Sequence, residues 1–513
     1  MSCKFIREGV KLFDNQVKNV KGLIRRRRAL LTDHVGSGKT LSILYSFALL
    51  KERGKLRNML VLTPKSAYAK EVWKKDIAKF TNLRAIDLEV FAHRLEGRFD
   101  KLELLLDQYD VIYGKHSHSK QLLPIMKLLC QHQDLMLTVD ECHAFKNPAS
   151  QLTVKFREAL LQATNVWFIT GTSLSKSLED VYNIINLLYP WYLGAFTHFR
   201  DTYCLVKEKV VGRKGGRLVK ALDIVGVKNE EEFKKKLEPL VITGESFTEL
   251  NYHYVDYDLS SDEEHLYRKI ANGIDLSETM SSEEWIQHLL SQSDDSIQEH
   301  RIKEVERFSS RFIYLQTAAD GVLTSRGTQD YLYGTKMNKL IDLVKSITEK
   351  GRSVIVYFDF LASLEVAKAR LKSESNAVIL QSTGDCVLAD SDVTEAKCKQ
   401  KPHVILCTKA ASESASYYFI ADVIFFHIPT VPHVFVQLNG RITRKNTLFP
   451  GDLHCWIFRS NNVDLYKLLV VSAKSYQMEI VQGEELNIPP DYKAIMQKAD
   501  RLEKMKKILL WFK

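Results

Sequence analysis

Two short stretches have residue types and spacing suited to phosphate chemistry. Residues 33–40 read DHVGSGKT, a glycine-punctuated turn between two apolar runs. Gly36 and Gly38 let the backbone turn several N–H groups to the inside of a tight loop. The apolar run from Leu41 reads as a helix whose N-terminus adds partial positive charge there. In such a cradle Asp33, His34, Val35, Gly36, Ser37 and Gly38 wrap the phosphates, Lys39 reaches the β/γ-phosphates, and the Thr40 hydroxyl helps hold Mg²⁺. The full pattern asks for glycine where Asp33 stands, and the plain alternative is a strand-to-helix turn with a surface lysine. Downstream, LMLTVDECH places Asp140 and Glu141 where an apolar strand stops. Asp140 could hold Mg²⁺ through water, and Glu141 could orient or deprotonate an attacking water. Together the two stretches point to nucleotide hydrolysis.

Phosphoryl transfer also needs positive charge at the γ-phosphate. In FVQLNGRITRKN, Arg441 and Arg444 stand three apart, on one face if helical, with Gln437 a turn before Arg441. They are either arginine fingers supplied within the chain or a solvated basic helix face.

These groups need strands to carry them. NMLVLTP (58–64), YDVIYG (109–114), DLMLTVD (134–140) and NVWFIT (165–170) are apolar runs bounded by turn residues, with helical segments between. That pattern predicts a parallel sheet covered on both faces, with its ligands at the carboxyl ends of the strands. Residues 260–310 are polar, helical and strand-free. The alternation resumes with SVIVYFD (353–359), AVILQS (377–382), HVILCT (403–408) and DVIFFHI (422–428). The expected fold class is α/β, with two sheet-bearing halves and a helical interlude.

Composition narrows the partners. The 513 residues, 45% hydrophobic and 27% charged, describe a globular chain of two to four domains. No apolar run approaches the roughly 20 residues that span a bilayer, and MSCKFIREGVKLF lacks a secretory core. A membrane partner and secretion are not expected. Eight cysteines without a C-x-x-C pair argue against a zinc module or a disulfide framework. A net charge of +10 fits a polyanionic partner, whereas Arg25 to Arg28 read first as a solvated turn. Trp73, spaced with Ile77 and Phe80, reads as a core anchor rather than a base-stacking platform, and Cys142 as a filler of a small apolar niche.

The stretches DHVGSGKT, LVLTPKSAYAKEVWKKDIAKF, VDECHAFKNPAS, ITGTSLSKSLEDVYNIINLLYP, SVIVYFDF, TKAASESASYYFIADVIFF and QLNGRITRK, in this order, resemble superfamily 2 helicases. More narrowly they resemble the Swi/Snf-type group of DNA translocases, over residues 5–475. In that group the P-loop commonly begins with Asp, which accounts for Asp33. The resemblance implies two RecA-like lobes with ATP and Mg²⁺ in the cleft and nucleic acid across both. It assigns Gln16 to the adenine, Lys39, Thr40, Asp140 and Glu141 to the ATP site, and Arg441 and Arg444 to the fingers. His143, Thr170, Gly171, Thr172 and Gln437 match coupling positions. Thr63, Lys65, Thr383, Thr408 and Lys409, just past strands, are candidates for gripping a phosphate backbone without reading bases. The sequence departs from the group at Ser173, at Ala411 to Ser414 where relatives carry glycines, and at Thr443.

The expected organisation is a first lobe over 1–245, a helical insertion and linker over 246–335, a second lobe over 336–480 and a helical tail over 481–513. The expected activity is ATP-driven movement on duplex or branched DNA. A strand-separating DNA or RNA helicase and a nucleotide-switched DNA clamp are the alternatives. A monomer is expected, in the cytoplasm or wherever the genome is handled, with the minimal make-up of a viral or bacterial motor.

Overall fold

The structure, a computed structural model, describes residues 3–33, 36–171, 178–214, 217–243, 250–271, 315–321, 334–384, 386, 388–389, 391–409, 417–429, 432–444, 447–460, 463–464, 467–468 and 471. His34, Val35, Thr172, Ser173, the stretch Ala411 to Ser414, most of the 260–310 interlude and the 481–513 tail lie outside them. The chain falls into two compact units, one of residues 1–207 and 224–247, the other of 208–223 and 248–473.

In unit 1 the strands are β1 (Arg28–Thr32), β2 (Asn58–Thr63), β3 (Ala85–Asp87), β4 (Val111–Lys115), β5 (Leu135–Val139), β6 (Asn165–Thr170) and β9 (Val241–Thr243); between β6 and β9 in the chain a two-stranded sheet of β7 (Cys204–Lys214) and β8 (Arg217–Val227) has its residues 208–223 in the other unit. Seven of them form one sheet in the order β3-β4-β2-β5-β6-β1-β9, with every pairing parallel. Alternate residues feed two cores, as a sheet covered on both faces requires. Leu30, Leu62, Leu137 and Phe168 pack with Phe145 and Phe156 on one side. Leu31, Val61, Met136 and Trp167 pack with Ile43, Phe47 and Trp73 on the other. The helix Lys39–Glu52 is buried from Leu41 to Leu50, so its sequence is apolar on every face rather than striped.

Register decides what meets at the carboxyl edge. Leu62 pairs with Val139, so Thr63 and Asp140 emerge side by side. Thr32 pairs with Thr170, which brings the residues after β1 beside those after β6.

Unit 2 contains β10 (Asn251–Asp256), β11 (Val354–Tyr357), β12 (Val378–Ser382), β13 (His403–Cys407), β14 (Asp422–Phe425) and β15 (His454–Arg459). They form a second all-parallel sheet, in the order β10-β15-β14-β11-β13-β12. The segment read as insertion and linker therefore opens with a strand. NYHYVD has no apolar run because β10 lies at the sheet edge, half-buried along its middle. Arg28 corrects another expectation. It opens β1 instead of lying in a solvated turn, and its guanidinium donates to the carbonyls of Leu188 and Ala163.

Among the described residues no helix is long and apolar enough to cross a membrane, and no group of three or more His, Cys, Asp or Glu is set to hold a metal ion by itself.

Candidate nucleotide site

The phosphate loop begins where β1 ends. Gly36 has φ 87° and Gly38 φ 78°, in the left-handed region that glycine enters without strain. A Cβ at Gly38 would also lie 2.2 Å from Gln16 Nε2, so a side chain there would displace the Gln16 amide from the loop. Gln16, in the helix Asp14–Leu23, donates to the carbonyls of Ser37 and Gly38, both at 3.3 Å, and its Oε1 accepts from the Phe13 N–H at 3.0 Å. Lys39 starts the following helix and its Nζ donates to the Asp33 carbonyl at 3.0 Å.

The same N-terminal helix supplies two residues that the sequence reading missed. Asn19 Nδ2 donates to Asp33 Oδ2 at 2.7 Å, and Asn15 Nδ2 reaches the same oxygen at 3.5 Å and the Ser37 carbonyl at 3.4 Å. Asp33 is thus a buried brace for the loop. The available signal was a pair of asparagines four apart, flanking Gln16, on a helix whose other polar residues are the charged Asp14, Lys18 and Lys21.

At the end of β5 the acidic pair faces the loop's edge of the sheet. Glu141 has φ 48°, a left-handed conformation that costs a non-glycine residue roughly 1–2 kcal/mol. Such strain is found where a side chain must be aimed. Glu141 Oε2 accepts from the Thr170 hydroxyl at 3.3 Å and the Gly171 N–H at 3.5 Å, and lies 3.3 Å from His143 Nδ1. Burial alone would raise its pKa, but His143, Lys39 and the Gly171 N–H bring it down to about 2. Asp140 moves the other way, up to about 6, through burial and then the charge of Glu141, against Trp73, Lys39 and Thr63. The direction is what two adjoining buried carboxylates impose on each other, and a bound cation would relieve it.

The residues fit a magnesium nucleotide. Thr40 and Asp140 are the hard oxygen donors that Mg²⁺ prefers. The buried Ser37 hydroxyl has no hydrogen-bond partner among the described residues.

The remaining expected site residues divide. Thr63 is 1% exposed and its hydroxyl donates to Asp140 Oδ2 at 3.2 Å, so its side chain faces the carboxylate rather than a surface track. Thr383 is likewise buried. Lys65 and Lys409 are exposed and Thr408 is half-buried. Trp73 is the core anchor expected, at 2% exposure, and Cys142 is fully buried. In unit 2, Gln437 and Arg441 lie buried in the helix Pro432–Ile442. That helix stops before Arg444, so the two arginines do not share a helical face. Burial, then the charge of Arg441, pushes the Arg444 pKa down to about 9.

The SNF2-related domain pattern matches residues 8–309, and the helicase conserved C-terminal domain pattern matches residues 335–446. The chain belongs to the SNF2-related family. As a member of this family, of the ATP-dependent helicase/translocase type, it is an ATP-hydrolysing enzyme. It is 22% identical over 464 residues to the uncharacterized ATP-dependent helicase YqhH of Bacillus subtilis, covering 89% of this chain and 76% of YqhH. It is 21% identical over 472 residues to the putative ATP-dependent helicase/translocase YwqA of Bacillus subtilis, covering 89% of this chain but 47% of YwqA. The SWI2/SNF2 ATPase core of Sulfolobus solfataricus in complex with dsDNA aligns over 99% of this chain and 98% of that one, at 18% identity and a TM-score of 0.40.

Proposed function

We propose that this SNF2-family ATPase is a translocase that spends ATP on movement along duplex DNA. The observation that carries the reading is the shared edge at Thr63 and Asp140. The hydroxyl that ends β2 donates to the acidic residue of the nucleotide site, and two residues further on Lys65 is exposed. A shift at either end of that short segment is felt at the other. The net charge of +10 supports a polyanionic partner, and the name of the relative YwqA includes translocase activity.

In this reading the loop Asp33 to Gly38 and Lys39 bind the phosphates, with Gln16 beside the loop at the base. Thr40 and Asp140 would hold Mg²⁺, which when bound neutralises phosphate charge. Glu141 orients the attacking water and accepts its proton: its lowered pKa keeps it ionised, and its hydrogen-bonded geometry fixes where it points. Arg441 and Arg444 supply positive charge to the γ-phosphate. His143, Thr170 and Gly171, all at Glu141, report its state to the rest of unit 1. Lys65, Thr408 and Lys409 grip the phosphate backbone.

Displacement of a triplex-forming oligonucleotide from duplex DNA tests the reading. ATP-dependent displacement is expected, absent with Glu141→Gln. Tight duplex binding without displacement would contradict movement and favour a clamp, and strand separation without triplex displacement would favour an unwinding helicase.

A further inference from the structure

Trp73 sits in the helix Val72–Phe80, and its apolar spacing with Ile77 explains why a large side chain is buried there. Spacing does not explain why it is tryptophan. The indole N–H can only donate, and a buried one needs an acceptor. Here the acceptor is Asp140 Oδ2, at 3.0 Å, the same oxygen that accepts from Thr63 at 3.2 Å. The main chain of Asp140 is held as well. Its N–H donates to the Leu62 carbonyl at 2.8 Å, and its carbonyl accepts from His116 Nε2 at 2.7 Å. A carbonyl oxygen only accepts, so Nε2 carries the proton that is donated.

The distribution of these bonds matters more than their number. Both side-chain donors converge on Oδ2, and Oδ1 takes no hydrogen bond among the described residues. A carboxylate with one oxygen occupied by two donors has its rotation restricted and offers the other oxygen alone. Mg²⁺ takes few carboxylate oxygens and demands strict geometry, so a carboxylate prepared in this way binds it with less ordering cost.

We propose that Trp73 is a positioning residue for magnesium: its indole N–H, with the Thr63 hydroxyl, holds Asp140 by Oδ2 and leaves Oδ1 for the cation. The proposal rests on the assignment of Asp140 to Mg²⁺ made above. It gives a helix outside the phosphate loop a direct part in preparing the nucleotide site.

The test is the Mg²⁺ dependence of nucleotide binding by the full chain, read from the fluorescence of an N-methylanthraniloyl-ADP probe, with a parallel titration in EDTA. Trp73→Phe keeps the aromatic bulk and removes the donor. Loss of a partner that orients a metal ligand costs about 10–100-fold in metal affinity, so the Mg²⁺ midpoint is expected to rise at least about tenfold. Affinity in EDTA should stay at the wild-type value. Thr63→Val, nearly the same shape, removes the other donor and should shift the midpoint in the same direction, which keeps the test decisive if Trp73→Phe does not fold. An unshifted midpoint in the folded variants would overturn the proposal, as would an equal loss of affinity in EDTA, the mark of a merely structural role. Asp140→Asn serves as the reference. A wild-type Mg²⁺ curve from it would overturn the metal assignment beneath the proposal. A shifted Asp140→Asn beside unshifted Trp73→Phe and Thr63→Val would overturn the role of Trp73 alone.

Discussion

Both units present the carboxyl ends of an all-parallel sheet, yet the acidic residues there are treated in opposite ways. In unit 1 the side-chain donors to Asp140 are neutral, while Glu141 lies 3.3 Å from His143. Asp140 accepts from an indole and a hydroxyl, and Asp33 from an asparagine amide. The charge of Asp140 meets no ion pair among the described residues and is left for a ligand to meet. In unit 2 the acids close on bases of their own. Lys336, fully buried, bridges Asp320 at 3.1 Å and Asp464 at 3.0 Å. Asp320 also accepts from Ser363 at 2.8 Å and from His427 Nε2, while His427 Nδ1 accepts from the Asp359 N–H at 3.0 Å. Asp359 in turn pairs with Lys467 at 2.6 Å. One edge is a receptor and the other a clasp, on the same topology. Topology supplies the place for a site, and charge matching decides whether the place stays open.

If the distinction is right, damage to the two edges should separate cleanly. Glu141→Gln should lower turnover by about 10²–10⁴-fold, the range for loss of a general base, without lowering the melting temperature. Steady-state ATP hydrolysis beside a thermal melt checks both halves. Lys336→Met should do the reverse. It leaves two buried carboxylates without their base, a loss of about 3–5 kcal/mol that urea unfolding of the full chain would register in unit 2.

Acid should weaken the clasp in a defined window. Burial would raise the Asp320 pKa, but His427 and Lys336 hold it well below the usual carboxylate range. A folded pKa below the unfolded value of about 3.9 contributes stability that is present above that pH and lost as pH falls through the folded value. Lys336 is raised above its ordinary value despite burial, by Asp464 and Asp320, so its share is present below about pH 10.4 and lost only above it. Unfolding midpoints in urea should therefore decline below about pH 4, and Lys336→Met should flatten that decline. The smallest effect belongs to Asn19→Ala, which removes one hydrogen bond to a carboxylate, worth about 1.5–3 kcal/mol in loop order. It should appear as weaker nucleotide binding with little change in the turnover of the bound state.

The receptor was legible in sequence to the extent that it is local. The glycines at 36 and 38, the start of a helix at Lys39 and the acids after an apolar run are consecutive, so residue type and spacing carry them. Side-chain direction across strands is not local. Thr63 was read as a surface contact because its place after β2 shows that it ends a strand, not that register with β5 turns it toward Asp140. Trp73 was legible as core, but its acceptor lies 67 positions away. The clasp is not legible, since its pairs other than Lys336 with Asp320 are separated by 43 to 128 positions and each residue alone is an ordinary polar or charged side chain. Strand β10 escaped because an edge strand need not show an apolar run.

The most direct test of the account is steady-state ATP hydrolysis by the full chain without nucleic acid, with single-stranded DNA, with duplex DNA and with RNA, using Glu141→Gln as the blank. The account predicts Mg²⁺-dependent hydrolysis that duplex DNA stimulates most and that the blank lacks. Hydrolysis indifferent to nucleic acid, or stimulated by RNA or single strands alone, would contradict it.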